Sequence, residues 1–234
     1  MTSYHEYNKV DKAVYLVNKL REGLDIAVIT DAGTPGISDP GEELVKMAYE
    51  AGIEVTSLPG ACACVTALTL SGLSTRRFVF EAFLPPDKKE HKLALERLKN
   101  ETRTMIVYEA PHHLLKTLRE LLETLGNRRL TLCRELTKKH ETAWQTTIED
   151  AITRYEQEDP KGECVLVIEG RSQKEIEDEA KAAFEEISIE EHMKRYEDQG
   201  IARKEAMKLV AKDRGVTKRD IYQYLLGKES YNDF

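Results

Sequence analysis

A short apolar run, Asp25–Thr30, breaks directly into the loop Asp31-Ala32-Gly33-Thr34-Pro35-Gly36-Ile37-Ser38-Asp39-Pro40-Gly41. Few folds accept such a junction. An unalternated apolar run of this length reads as a strand covered on both faces of a sheet, so helices must lie above and below it. Val10, Ala13, Val14, Leu16, Val17 and Leu20 give helical spacing over Asn8–Glu22 before it, and a second helix is expected from Pro40 to Ala51 after it. Asp39 suits the N-cap of that second helix, Pro40 its first position and Glu42 its capping box. Another strand, Ile53–Leu58, then runs into Pro59-Gly60 and a small-residue helix start at Ala61-Cys62-Ala63-Cys64. Strand, loop and helix recur in the same order, which points to an α/β fold.

After Ser71–Ser74, strands are expected at Phe78–Leu84, Arg103–Glu109, Arg129–Glu135 and Glu163–Glu169. Helices near Lys88–Lys99, Pro111–Leu125 and Thr147–Gln157 separate them, enough for a second α/β domain. From Ile187 onward the chain reads as helical, with capping boxes at Ser188–Glu191 and Thr217–Asp220. Ala202–Asp213, a turn around Gly215 and Thr217–Leu226 resemble a helix-turn-helix pair. The expected domains are 1–75, 76–172 and 173–234.

The net charge of −7 argues against a general nucleic-acid coat, but the average hides opposed local fields. Lys174–Gln199 holds ten acidic and four basic residues, and Ile201–Lys228 holds eight basic and three acidic ones. Arg203, Lys204, Lys208, Lys212, Lys218 and Arg219 are candidate contacts to RNA phosphates, with a solvated helix face as the plain alternative. Cys62, Cys64, Cys133 and Cys164 lack metal-ligand spacing and read first as buried free thiols, with no metal site expected. No apolar run approaches the roughly 20 residues of a membrane helix. The polar start Met1–Lys9 is unlike a secretory signal, so a cytoplasmic location is expected.

In open α/β sheets, ligands sit at the carboxyl ends of strands, against glycine-rich turns that expose backbone. The loop from Asp31 and the Pro59-Gly60-Ala61-Cys62 turn would present two such ends to one crevice. Neither matches the G-x-G-x-x-G or P-loop pattern, so no phosphate cradle is expected. A flat, zwitterionic ligand held mostly by backbone suits the crevice.

These residues carry a resemblance. Asp31–Gly41 is similar to D-A-G-T-P-L-I-S-D-P-G of the ribosomal RNA small-subunit methyltransferase I family, a branch of the tetrapyrrole methylases. Thr2–Asn8 resembles its T-S-Y-H-E-H-N, Tyr108–His112 its Y-E-A-P-H, and Arg134–Lys138 its R-E-L-T-K. The resemblance implies a two-domain α/β fold with a small C-terminal helical domain, and a homodimer. It implies transfer of the methyl of S-adenosylmethionine to a cytidine 2′-oxygen in 16S ribosomal RNA of the small subunit. Carried over by position, Asp31, Ala32, Gly33, Thr34, Ile37, Ser38, Ala61, Cys62, Tyr108, Leu136 and Gly162 would line the cofactor. Gly36 replaces a larger apolar residue of the family, Ala61-Cys62 its Pro-Ser, and His113 its Arg. The family also begins about fifty residues further upstream, with a first strand and a T-P-I-G-N loop, so the N-terminal domain reads as truncated.

Activation of a ribose hydroxyl calls for positioning and a proton acceptor. Candidates for catalysis are Glu135, His5 and Glu6, with Glu109, Lys138 and His140 as further candidate groups. Glu135 reads equally as a partner for Arg134 or Lys138, and His5 and Glu6 equally as helix-start residues. Lys138 is a candidate RNA contact or part of an exposed cationic turn. Two other functions remain open: methylation of a porphyrin or corrin ring carbon, and a non-catalytic RNA-binding module.

Overall fold

β-branched and aromatic residues dominate β1 (Phe78–Phe83), β2 (Thr104–Glu109) and β5 (Cys164–Ile168), while β3 (Arg129–Arg134) alternates Leu130 and Leu132 with Thr131 and Cys133. With β4 (Thr142–Thr147) they form one five-stranded sheet in the order β1-β2-β5-β3-β4. β1 and β2 are parallel, and every other neighbouring pair is antiparallel. The computed structural model describes residues 1–185 and 187–229. It divides into two compact units, Met1–Gly170 and Arg171–Phe234. The side chains of Lys181, Glu185 and Lys228, and the whole of Glu186, all counted in the charge pattern above, lie outside what is described.

Strand alternation sorts the core of the first unit. Met105, Val107, Leu130, Leu132, Leu166 and Ile168 face one layer, packed with α4 (Lys88–Lys99), α5 (Pro111–Leu125) and α6 (Ile148–Tyr155). Ile106, Cys133, Val165 and Val167 face the other, under α3 (Ala63–Leu70). α4 and α5 lie where their periodicity places them. Asp87 caps α4 by accepting from the amides of Lys89 (2.9 Å) and Glu90 (3.0 Å). The buried Arg128 guanidinium donates to the carbonyls of Leu125, Lys99 and Glu169, which satisfies acceptors at two helix ends.

Three expectations are corrected. Asp25–Thr30 and Ile53–Leu58 form no ladder; among the described residues, the backbone of 25–35 and 54–58 makes no backbone–backbone hydrogen bond. Ile26, Val28 and Ile53 pack against Ala13, Leu16, Val17 and Leu44 of α1 (Lys9–Arg21) and α2 (Glu42–Glu50), while Ile29 and Leu58 are exposed. One-sided burial, rather than a sheet, therefore holds these runs. Asp39 does not cap α2: it accepts from Thr30 Oγ1 at 3.3 Å, and Gly41 occupies the N-cap. Helix was expected from Thr147, but β4 ends there and α6 begins at Ile148, with Thr147 as N-cap accepting from Asp150 N.

In the second unit, Ser188 and Thr217 accept from the amides of Glu191 and Asp220, as the capping boxes predict. α7 (Gln173–Glu185), α8 (Ile189–Glu197), α9 (Arg203–Arg214) and α10 (Lys218–Glu229) contribute, and α9 ends on Gly215 with φ +66°. Met193, Ala206, Val210, Ala211 and Ile221 form its core.

Beside that core His192 is 1% exposed, with Nε2 3.3 Å from Asp213 Oδ2 and Nδ1 accepting from Arg214 Nε at 3.3 Å. Its ring stacks on Phe184 and Tyr196, and Tyr196 donates to Asp213 at 2.6 Å. Burial first, then the Arg214 charge, lowers the His192 pKa below its ordinary 6.5, against the pull of Asp213. The unfolded chain therefore binds this proton more readily than the folded one. The contribution is full above pH 6.5 and is lost as pH falls from there through the lowered folded value. The protection of α8 and α9 against hydrogen exchange, corrected for the intrinsic exchange rate at each pH, is expected to fall on mild acidification, and His192→Gln to flatten that dependence. An unchanged pH response in the variant would assign the effect to other groups.

Candidate functional site

Thr34 Oγ1 donates to the Ala61 carbonyl at 2.9 Å, which ties the first glycine-rich loop to the second across 27 residues of chain. The contact needs small residues on both sides. A Cβ on Gly33 would lie 3.3 Å from the Ala61 oxygen, and one on Gly60 3.1 Å from Thr34 Oγ1. Gly33 and Gly36 both have φ of +80°, and Ser38 reaches φ +64° without being glycine. Asp31, Ala32, Gly33, Ile37, Ser38 and Ala61 are exposed, and Thr34 and Cys62 are half-buried. The two loops thus present open backbone donors and acceptors with little side-chain bulk. A groove of about 140 Å³ between α1 and α2, lined by Val17, Met47 and Ala51 among others, includes none of these residues, so loop geometry defines the site.

The second loop is held from the sheet. Tyr108 Oη accepts from Cys64 N at 2.9 Å at the start of α3. Thr131 Oγ1 and Gln145 Nε2 donate to the Ser71 carbonyl at its far end. Cys62, Tyr108 and Leu136 pack against one apolar cluster, so sheet residues join the loops. Phe80 and Phe83 meet the Tyr108 ring edge-on. Burial first, then the Cys64 thiol, raises the Tyr108 pKa far above its ordinary value, so its hydroxyl stays neutral.

Gly162 (φ +77°) approaches Glu135 so closely that a Cβ would overlap the carboxyl group. Glu135 Oε1 accepts from Glu163 N at 3.0 Å and from Lys138 Nζ at 3.2 Å, and Lys138 also reaches Glu163 at 2.9 Å. The Glu163 amide first, then Lys138, lowers the Glu135 pKa, so the carboxylate stays ionised and is a weak proton acceptor at neutral pH. Positive φ at Glu135 and Thr137 bends the turn that carries Leu136. Arg134, read in the sequence only as a partner for Glu135, has a buried Nε with no hydrogen-bond partner. No sequence pattern marks such a spare donor.

Three further acid–base candidates, His5, Glu6 and Glu109, have local partners. His5 N donates to Asn8 Oδ1 at 2.9 Å and Glu6 pairs with Lys9 at 2.5 Å, both at the start of α1. Glu109 is buried, accepting from Ala110 N (2.7 Å) and Thr117 Oγ1 (2.6 Å), which holds the start of α5.

In the second unit Arg203, Lys204, Lys208, Lys212 and Arg219 are exposed and Lys218 is half-buried. Lys204, Lys208 and Lys212 follow one another at helical i,i+4 spacing along α9, and Lys208 pairs with Glu205. Arg214 turns inward to His192 and the Ile187 carbonyl. If the stripe is the RNA contact expected from the sequence, replacing Lys204, Lys208 and Lys212 by alanine shallows the salt dependence of RNA binding by about two units of log–log slope. Filter binding across a salt series reads this directly; an unchanged slope would make the stripe a solvated face.

The family model for tetrapyrrole (corrin/porphyrin) methylases matches residues 2–152, so the fold and its loops are those of this class. Solved structures with the same fold include the methyltransferase CobJ, with TM-score 0.55, 19% identity and coverage of 69% of this chain and 71% of that one. A diphthine synthase has TM-score 0.51 at 12% identity, covering 71% and 68%. Among curated relatives, ribosomal RNA small subunit methyltransferase I of Halalkalibacterium halodurans is 47% identical, across 95% of this chain and 76% of that protein. The Synechocystis protein of that name is 43% identical, across 97% and 80%. The chain belongs to the ribosomal RNA small subunit methyltransferase I family. Among the described residues no helix is long and apolar enough to cross a membrane.

Proposed function

We propose that this protein transfers a methyl group from S-adenosylmethionine to small-subunit ribosomal RNA, at the 2′-hydroxyl of a cytidine. The observation that carries the reading is the Thr34–Ala61 contact, which joins two backbone-rich loops in a chain related throughout to methyltransferases of this substrate class. The residues present fit the donor. Glycines whose Cβ atoms would crowd the loop contact keep exposed backbone at Asp31–Ser38 and Ala61, and the exposed Asp31 carboxylate suits an ammonium group. When bound, the sulfonium supplies an already activated methyl group.

The chain's own residues then bind and orient. Asp31, Ala32, Gly33, Thr34, Ile37, Ser38, Ala61 and Cys62 hold the cofactor from one side, and Tyr108, Leu136 and Gly162 from the other. Glu135, kept ionised first by Glu163 N and then by Lys138, positions the turn that presents Leu136. The basic stripe of α9 adds nonspecific attraction to phosphate. Assembly as a homodimer belongs to the same proposal.

Titration with S-adenosylhomocysteine, followed by methyl transfer to small subunits lacking this modification, tests the reading. The expected product is a cytidine resistant to alkaline cleavage on its 3′ side. Methylation on a base, or transfer to a porphyrin with none to the subunit, would overturn it.

A further inference from the structure

We propose that Cys62 and Cys64 form a dithiol that a small-molecule disulfide of the glutathione class oxidises to an intrachain disulfide, resetting the second loop of the site. Their sulfurs stand 3.3 Å apart, with Cys62 half-buried at the N-cap of α3 and Cys64 buried one residue inside the helix. The thiols differ in a way that orders the chemistry. Cys62 is the more accessible to a disulfide arriving from solution, while Cys64 is buried. Burial first, then the Cys62 thiol, pushes the Cys64 thiol up to about 11, so attack does not begin there. Cys133 and Cys164 are fully enclosed by the sheet, and burial pushes each thiol up to about 11.

The Cys62 thiolate attacks one sulfur of the small disulfide, whose S–S bond breaks to release one thiolate. Cys64, held in contact, gives up its proton to a departing thiolate and attacks Cys62 Sγ, expelling the second thiol. The protein loses two electrons and two protons, and the small disulfide becomes two thiols. A bridge across a single intervening residue closes a small ring, which makes the bond readily reducible and the change reversible.

The pair lies between the two fixed points of the loop, the Ala61 carbonyl bound by Thr34 and the Cys64 amide bound to Tyr108. Drawing the sulfurs from contact to bonding distance pulls on both. The effect on ligand affinity rests on the function proposed above; formation of the bridge does not.

The test treats the reduced full chain with oxidised glutathione and reads intact mass and mapped peptides. The expected product has lost two hydrogens, carries a Cys62–Cys64 link and reverts with dithiothreitol. Cys64→Ser should retain a glutathione adduct at Cys62, and Cys62→Ser should gain neither adduct nor link. A persistent adduct on the unsubstituted chain, or no reaction at Cys62, would overturn the proposal. S-adenosylhomocysteine affinity is expected to fall by about ten-fold on oxidation. Bridging with affinity unchanged would sink the loop-resetting part. Bridging with no binding in either redox state would instead count against the proposed methyl-transfer function.

Discussion

Gly33→Val is expected to weaken S-adenosylhomocysteine binding by at least about a hundred-fold, a loss of about 3 kcal/mol. Two effects add. The residue sits at φ +80°, where a β-branched side chain is strained by roughly 1–2 kcal/mol. Its Cβ would also press on the Ala61 carbonyl at 3.3 Å and compete with the Thr34 hydroxyl for the space between the loops. Gly36 separates the two effects, because it shares that φ but has no atom within 4 Å of a Cβ. Gly36→Ala should therefore carry backbone strain alone and lower affinity by only about five-fold. Calorimetric titration of both variants decides the matter. Equal losses would show that strain, and not contact between the loops, controls the site.

Glu109→Ala is expected to destabilise the first unit by about 3–5 kcal/mol. The buried carboxylate accepts from Ala110 N and Thr117 Oγ1, so truncation strands an amide at the start of α5 and a buried hydroxyl. Glu109→Gln retains one acceptor and the side-chain shape, and should cost about 1–2 kcal/mol. Urea denaturation measures both. A catalytic Glu109 would behave differently: both variants would lose transfer activity while unfolding at the parent midpoint.

This carboxylate illustrates how little of the chemistry was legible in isolated motifs. Glu109, Glu135, His5 and Glu6 all lie in segments that resemble the family, and each residue type can move a proton. Their partners separate them: Thr117 for Glu109, Glu163 and Lys138 for Glu135, Asn8 for His5 and Lys9 for Glu6. The Cys62–Cys64 contact was equally hidden, because neighbouring cysteines at a helix start read as core until the direction of each side chain is known.

Much of the architecture was legible. α4 and α5 coincide with the ranges set by helical periodicity, and the boundaries of β1, β2, β3 and β5 shift by one or two residues at most. Apolar spacing, a capping Asp87 and Pro111 at a helix start act within a few residues, so local sequence is enough. β4 was missed because its Thr142-Ala-Trp-Gln-Thr-Thr147 run is polar and pairs on one side with β3 alone. Glycine and proline spacing likewise marked both candidate loops, as these residues encode backbone conformation directly.

The sequence by itself determined the order and type of most elements, the two small-residue loops and the reversal of charge along the C-terminal helices. Only the tertiary structure decided that 25–30 and 53–58 join no ladder, that Thr34 meets Ala61, and which carboxylates are spoken for. Propensity and capping are settled over one or two helical turns, whereas a ladder or a buried ion's partner is selected by packing across tens of residues.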